Sequence, residues 1–230
     1  LAGRLMEEAV GKLWHRWITR AAQIEHPDKR VELKQIQKKI ALYFHAFGGD
    51  PALAIKPASR QQWLARRSLL EKIAGLEWQA QLCWRDADSL YMPGSIALFD
   101  DAELNSALYF WLAALAANDT QQWDHLPWLQ RSQQQVLSTL LRWPGLTRLY
   151  RRLASAHLAQ RHWQKQAQLN QSERTLRQAI EHPSARVSED IDPRQLEPVP
   201  IWLHPVPPAA AHRTTQPHPD ITPATSEVTE

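Results

Sequence analysis

The chain has 230 residues, 43% of them apolar, with eleven tryptophans, which suits one domain of ordinary size with a sizeable core, alone or with a tail. Its net charge of +3 hides an asymmetry: residues 1–182 carry 24 Lys/Arg against 17 Asp/Glu, whereas residues 183–230 carry 3 against 7. The single cysteine, Cys83, excludes an intrachain disulfide and points to a reducing compartment, and charged Arg4, Glu7, Glu8 and Lys12 break up the first apolar residues, which excludes a signal peptide there and places the chain in the cytoplasm.

Leu5, Met6, Ala9, Leu13, Trp17 and Ala21 repeat at helical spacing, with Arg4, Glu8, Lys12 and Arg16 stepping by four along the opposite stripe. His26-Pro27-Asp28 opens a second helix whose apolar positions are Val31, Leu33, Ile36, Ile40, Tyr43, Phe44 and Phe47, and Gly48-Gly49 stops it. Leu53 to Pro57 is short, apolar and closed by proline, in keeping with a strand. Ser59 is the expected cap of a third helix through Trp63, Leu64, Arg67, Leu69, Leu70 and Ile73, ending at Gly75. Then the period changes. Leu76, Trp78, Ala80, Leu82 and Trp84 alternate with polar residues as in one half-buried strand, Asp86-Ala87-Asp88 turns it, and Ser89 to Pro93 returns antiparallel.

The chain is organised around Ala107–Ala117, eleven consecutive apolar residues preceded by Asp100-Asp101-Ala102-Glu103. A helix here is apolar all round and needs protein on every side; the run is too short to cross a bilayer, so no membrane span is expected. Asp100 is the expected cap, with Glu103 three residues on. Pro127 fits the start of a helix carrying Trp128, Leu129, Val136, Leu137, Leu140 and Leu141, and Trp143-Pro144-Gly145 breaks it. The next helix uses Leu146, Leu149, Tyr150, Leu153 and His157, with Arg148, Arg151, Arg152 and Arg161 outside. Ser172 is the expected cap of a last short helix through Leu176, Ala179 and Ile180. The reading is therefore mainly α: a helical, bundle-like domain over 1–182 with a small antiparallel β element around residues 53–92. Ten of the sixteen prolines and no glycine fall in 183–230, which reads as an acidic linker or tail, disordered beyond about 209.

No constellation supports catalysis. His157 and His162 are five apart, off the spacing that sets two ligands on one helix face, and His15 and His45 sit on separate helices, so no metal site is expected. Asp86 and Asp88 are explained by the turn they flank. Cys83 lies between Leu82 and Trp84, which favours a buried, inert thiol. Phosphate-cradle, nucleophile-elbow and zinc-helix motifs are absent, as is the D-x-S-x-S motif of metal-dependent adhesion sites. No cofactor or small-molecule substrate is implied. The aromatic and basic run Arg148-Leu149-Tyr150-Arg151-Arg152 is compatible with a nucleic-acid surface, but its spacing puts the aromatic ring with the core residues.

Several motifs stand in a telling order: Leu5-Met6-Glu7-Glu8-Ala9-Val10-Gly11-Lys12-Leu13-Trp14-His15-Arg16, Phe47-Gly48-Gly49-Asp50-Pro51, Arg66-Arg67-Ser68-Leu69-Leu70, Ile73-Ala74-Gly75, the helix Ile96 to Ala117, and Leu196-Glu197-Pro198-Val199-Pro200-Ile201-Trp202. Together, over roughly residues 3–205, they resemble the N-terminal region of the NorD family, the nitric oxide reductase activation proteins. The resemblance implies a non-enzymatic accessory protein of denitrification. It works with a MoxR-type AAA+ ATPase, the NorQ-like partner, and faces the cytoplasmic side of nitric oxide reductase. Family members carry a C-terminal von Willebrand factor A domain with a metal site. This sequence stops before any such domain, as expected of a fragment, a split gene product or a remnant.

Two further functions stay open at this point: an adaptor of the related Rubisco-activating ATPase system, and a basic helical protein that binds nucleic acid. For partner binding, the sequence offers the exposed stripe of Arg4, Lys12 and Arg16.

Overall fold

The computed structural model describes residues 25–58, 61–63, 78–80, 82–161, 167–187, 191 and 196–205. Among these are the helices α1 (Leu33–Ala46), α2 (Ala102–Ala117), α3 (Trp128–Arg142), α4 (Thr147–Gln160) and α5 (Ala167–Glu181). The strands are β1 (Val31–Glu32), β2 (Ala54–Ala58), β3 (Gln61–Trp63), β4 (Trp78–Ala80), β5 (Trp84–Arg85), β6 (Ser89–Pro93) and β7 (Ser95–Ile96). The fold is mainly α, as the periodicities require.

Helix α2 is the apolar run, and it has protein on every side. Leu104, Asn105, Leu108, Tyr109 and all of Trp111–Ala116 are buried. Tyr43 of α1 meets Phe110 edge-on with ring centroids 4.6 Å apart, while the Trp111 and Tyr150 rings lie 5.0 Å apart towards α4. On the sheet side the Tyr109 hydroxyl donates to the Pro93 carbonyl at 2.8 Å. Towards α3, Asn118 Nδ2 donates to Ser138 Oγ at 2.8 Å. The cap is Asp101, one residue later than expected: its carboxylate accepts from Glu103 N at 2.8 Å, while Asp100 faces His26 at 3.6 Å. Asn105, buried in the first turn, accepts from Phe99 N and donates to the carbonyls of Phe99 (2.8 Å) and Lys29 (3.0 Å). One side chain thus satisfies the backbone of two loops that enter the core without a ladder of their own.

The second helix begins later than the sequence reading placed it. Pro27–Lys29 forms one 3-10 turn, and Val31–Glu32 then pairs antiparallel with β7 before α1 starts at Leu33. Its end follows the Gly48-Gly49 signal. Gly48 takes φ +86°, its N–H bonds His45 O at 2.9 Å, and Gly49 N bonds Phe44 O at 2.8 Å, the paired bonds of a Schellman motif. A Cβ on Gly49 would come within 2.5 Å of the Phe44 ring, so both glycines are required, for different reasons.

The β element is mixed rather than antiparallel. β5 and β6 form the expected hairpin, with Asp86 Oδ1 accepting from Asp88 N (3.0 Å) and Ser89 N (2.8 Å) at the turn, but β2 joins β6 in parallel. Two other expectations fail here. Gln61–Trp63 is a strand paired antiparallel with Trp78–Ala80, not the first turn of a third helix; the rest of that predicted helix lies outside the described residues. The predicted single strand from Leu76 to Trp84 is divided between two sheets, because Leu82 and Cys83 are both buried where strict alternation would put one of them in water.

Further departures lie towards the end of the chain: α5 starts at Ala167, so Ser172 sits inside it rather than at its cap, and the proline-rich region packs. Composition assigns residues from 183 to a linker; packing puts Leu196, Val199, Ile201, Trp202 and Leu203 in the core. This extended strap, Leu196–His204, runs past α2, α3 and α4, and Leu203 bridges Cys83 in parallel. Proline content predicts irregular backbone, not solvation.

Removing the fully buried Trp111 ring takes a contact from Tyr150 and a hydrogen bond from the Ile201 carbonyl at once. Trp111→Ala is expected to lower the unfolding free energy by about 3–5 kcal/mol, read from a shift of the urea midpoint at unchanged slope. A loss below about 1 kcal/mol would show that α2 is not the centre of the core.

Candidate functional site

Arg4, Lys12 and Arg16, the sequence-predicted partner stripe, lie outside the described residues, as do His15 and His162. His45 is exposed at the end of α1, and Asp86 serves the turn. Among the described residues no group of three or more His, Cys, Asp or Glu is placed to hold a metal ion, and no helix is long and apolar enough to cross a membrane. The chemistry concentrates in two places: a buried charge cluster between α4 and α5, and a basic groove on the outside of α4.

The buried cluster overturns one expectation. Arg161, read as a solvent-facing residue, follows the last turn of α4 and is buried with Glu173 of α5; their side chains are 1% and 0% exposed. The pairing is fork to fork: Arg161 Nε donates to Glu173 Oε1 and Nη2 to Oε2, both at 2.8 Å. Arg177, one turn on, donates from Nε to Glu173 Oε1 at 3.0 Å and from Nη2 to the Arg161 carbonyl at 2.6 Å. Two guanidiniums against one carboxylate leave a positive excess, which backbone oxygens absorb. Arg161 Nη1 donates to the carbonyls of Glu197 (3.0 Å) and Pro198 (2.9 Å), the first turn of the strap.

His157 stacks into the same cluster, its Nε2 accepting from Arg161 Nη1 at 3.3 Å, since a guanidinium has only donors. Burial first, then the charges of Arg161 and Arg177, hold its pKa well below the usual histidine range. It is a neutral acceptor. His204 closes the other end of the strap. Its Nε2 bonds the Val199 carbonyl at 2.9 Å and its backbone N–H bonds Cys83 O at 2.8 Å; burial pushes its pKa down to about 4. Between these ends, Trp111 Nε1 donates to Ile201 O (2.8 Å) and Trp128 Nε1 to Leu203 O (3.4 Å). The Cys83 thiol, fully buried, is pushed far above the ordinary cysteine value, first by burial and then by Asp119, and is no nucleophile. Arg161 holds the strap directly, while Glu173 and Arg177 hold Arg161 and the end of α4, so the arrangement is a scaffold.

The signal for this clamp was present in the sequence. Tyr150, Leu153, His157 and Arg161 continue one helical stripe, and Glu173, Leu176, Arg177 and Ile180 continue another. A charged residue standing on an apolar stripe is a candidate for burial with a partner.

The outer face of α4 carries what the stripe leaves over. Tyr150 packs in the core, its hydroxyl donating to Ile180 O at 2.6 Å, while Arg148, Arg151 and Arg152 point outward. They line an open groove of about 740 Å³ whose other walls include Leu104, Pro144 and Gly145. Arg152 meets Asp101 at 3.3 Å; Arg148 and Arg151 have no ion pair among the described residues.

No family model matches the chain, and no solved structure matches it. Curated relatives do. The chain is 35% identical to Protein NorD of Stutzerimonas stutzeri over 202 residues, which is 87% of this chain and 32% of that protein. Protein NorD of Brucella abortus is 36% identical over 166 residues, 68% of this chain and 26% of the relative. The chain is NorD-like. An uncharacterized protein of Pseudomonas aeruginosa matches the NorD-like chain at 37% over 202 residues, again 87% of this chain and 32% of the relative. The NorD-like chain thus spans about a third or less of the length of these curated relatives.

Two outcomes test the clamp. Arg161→Met strands Glu173 with one partner and frees two strap carbonyls, and is expected to cost about 3–5 kcal/mol in urea unfolding; a cost near zero would show that the strap holds without it. The second concerns acid. His157 and His204 are neutral when folded and take up protons more readily when unfolded, so stability is fully present above the unfolded value of about 6.5 and falls as pH drops towards 4. Urea midpoints at pH 7, 5.5 and 4.5 should decline in that order, and His204→Gln should flatten the slope.

Proposed function

We propose that this chain supplies part of a non-enzymatic adaptor that works with a MoxR-type, NorQ-like AAA+ ATPase to activate or mature nitric oxide reductase in denitrification. The observation that carries the reading is the match to Protein NorD of Stutzerimonas stutzeri, 35% identical along 87% of the chain. The scaffold is in keeping with it. Buried Glu173 is paired with two arginines, and the arginines of α4 line a surface groove.

In this reading the residues up to 182 form the helical unit, and the strap clips the following segment onto it, so that whatever follows in a longer protein leaves from a fixed point beside Cys83. The ATPase docks on the outer surface and the cytoplasmic face of the reductase is the eventual target. The basic groove supports nucleic acid as a second reading, since three arginines on one helix face suit phosphate.

Salt separates the two. The purified chain is to be run with the MoxR-type ATPase from the same source at about 0.1 and 0.5 M salt, with the ATP hydrolysis rate recorded. A complex at both salts, or a rate changed by the chain, is the expected outcome. Absence of a complex at either salt, together with retention on nucleic acid at low salt only and a steep log-linear loss with salt, would replace the adaptor reading.

A further inference from the structure

We propose that the groove along α4 is a docking site for an acidic amphipathic segment of a partner protein, whose carboxylates bind Arg148 and Arg151 and whose apolar side chains sit over Leu104 and Ala156. The inference rests on the accessory-protein reading and names the chemistry of the partner it requires.

Four observations converge. Arg148, Arg151 and Arg152 fall at i, i+3 and i+4 of one helix, so their guanidiniums share a face; Asp101 occupies only Arg152. All three are arginine rather than lysine, whose forked donors suit paired carboxylate oxygens. Between them the lining is apolar or small, with Leu104, Pro144 and Ala156, which accepts side chains rather than a hydrated backbone.

The groove also adjoins a chain of aromatic contacts. Pro144 follows Trp143, whose ring packs edge-on against Phe47 at 4.8 Å, and Phe47 neighbours Tyr43 at 6.0 Å. Tyr43 is 47% exposed, so this chain carries apolar surface from beside the groove out to solvent. The lining decides the class of partner. The start of α2 reaches the groove through Leu104, and Asp101 beside it already pairs with Arg152. A helix with carboxylates on one face and apolar side chains on the other can turn the first to Arg148 and Arg151 and the second to Leu104 and Ala156.

The test uses the full chain and a labelled synthetic peptide of about 18 residues, with glutamate on one helical face and leucine on the other. Its probes are completed by a peptide of the same composition in scrambled order and a thymidine oligonucleotide. Fluorescence anisotropy is expected to show saturable binding of the patterned peptide. Replacing both arginines by glutamate (Arg148→Glu with Arg151→Glu) should weaken it about tenfold or more, and replacing both by lysine only about two- to threefold. Both side chains are exposed, and thermal unfolding checks that each variant folds. No binding of the patterned peptide, equal binding of the scrambled one, tighter binding of the oligonucleotide, or indifference to the glutamate pair would each overturn the proposal. The peptide takes no part in the ATPase experiment, so either result stands apart from the fate of the adaptor reading.

Discussion

The structure depends on a bidentate ion pair held out of water. Taking one carboxylate and one guanidinium into the interior is tolerable only when almost every lone pair and N–H finds a partner, because the desolvation cost is otherwise not recovered. Glu173 meets that condition with two arginines, and Arg161 meets it with one carboxylate, one imidazole and two backbone carbonyls. The consequences radiate outward. The pair fixes how α4 and α5 sit along each other, its Arg161 adds to the burial that keeps His157 neutral, and it sets the point where the strap enters the core.

The strap itself has almost no ladder. Apart from its bridge to Cys83 and one turn bond from Trp202 N to Val199 O, its carbonyls are satisfied by side chains: the guanidinium of Arg161, the indoles of Trp111 and Trp128, and the strap's own His204 imidazole. This accounts for part of the tryptophan content. An indole buries a large area and brings one donor, so it can fill space beside an irregular segment and satisfy that segment's carbonyl together. Asn105 does the same for the loops at Lys29 and Phe99.

How much of this was legible follows from the range of each interaction. Helix α2, the break at Trp143-Pro144-Gly145, the Asp86 turn and the Gly48-Gly49 stop were legible, since each is set within a few residues by periodicity, an Asx side chain or a positive φ. The cap moved from Asp100 to Asp101 because two adjacent aspartates offer the same chemistry, and only the fold chooses. What escaped was long-range. Nothing near Gln61-Gln62-Trp63 announces a partner at Trp78–Ala80, and the alternation from Leu76 to Trp84 concealed a change of sheet. The parallel pairing of β2 with β6 is equally silent. Arg161 was misplaced for a different reason: charge was weighed above its position on the stripe that already held His157. Leu196–His204 was read by its prolines, although Leu, Val, Ile and Trp in the same nine residues supply as much apolar surface as a core strand. The arginines of the groove were visible as a run; the contact of Arg152 with Asp101 was not, because the two lie 51 residues apart.

The position of the strap bears on synthesis. The chain leaves the ribosome from its N-terminus, and the helices up to α5 are complete well before Leu196 emerges. Until then Arg161 has no strap carbonyls to donate to, and the indole N–H groups of Trp111 and Trp128 face an open flank of the core. A nascent helical unit is therefore left with an apolar cleft along α2 that only its own later residues close. The order in which this sequence writes its core leaves that cleft exposed for as long as synthesis takes to pass from α5 to the strap.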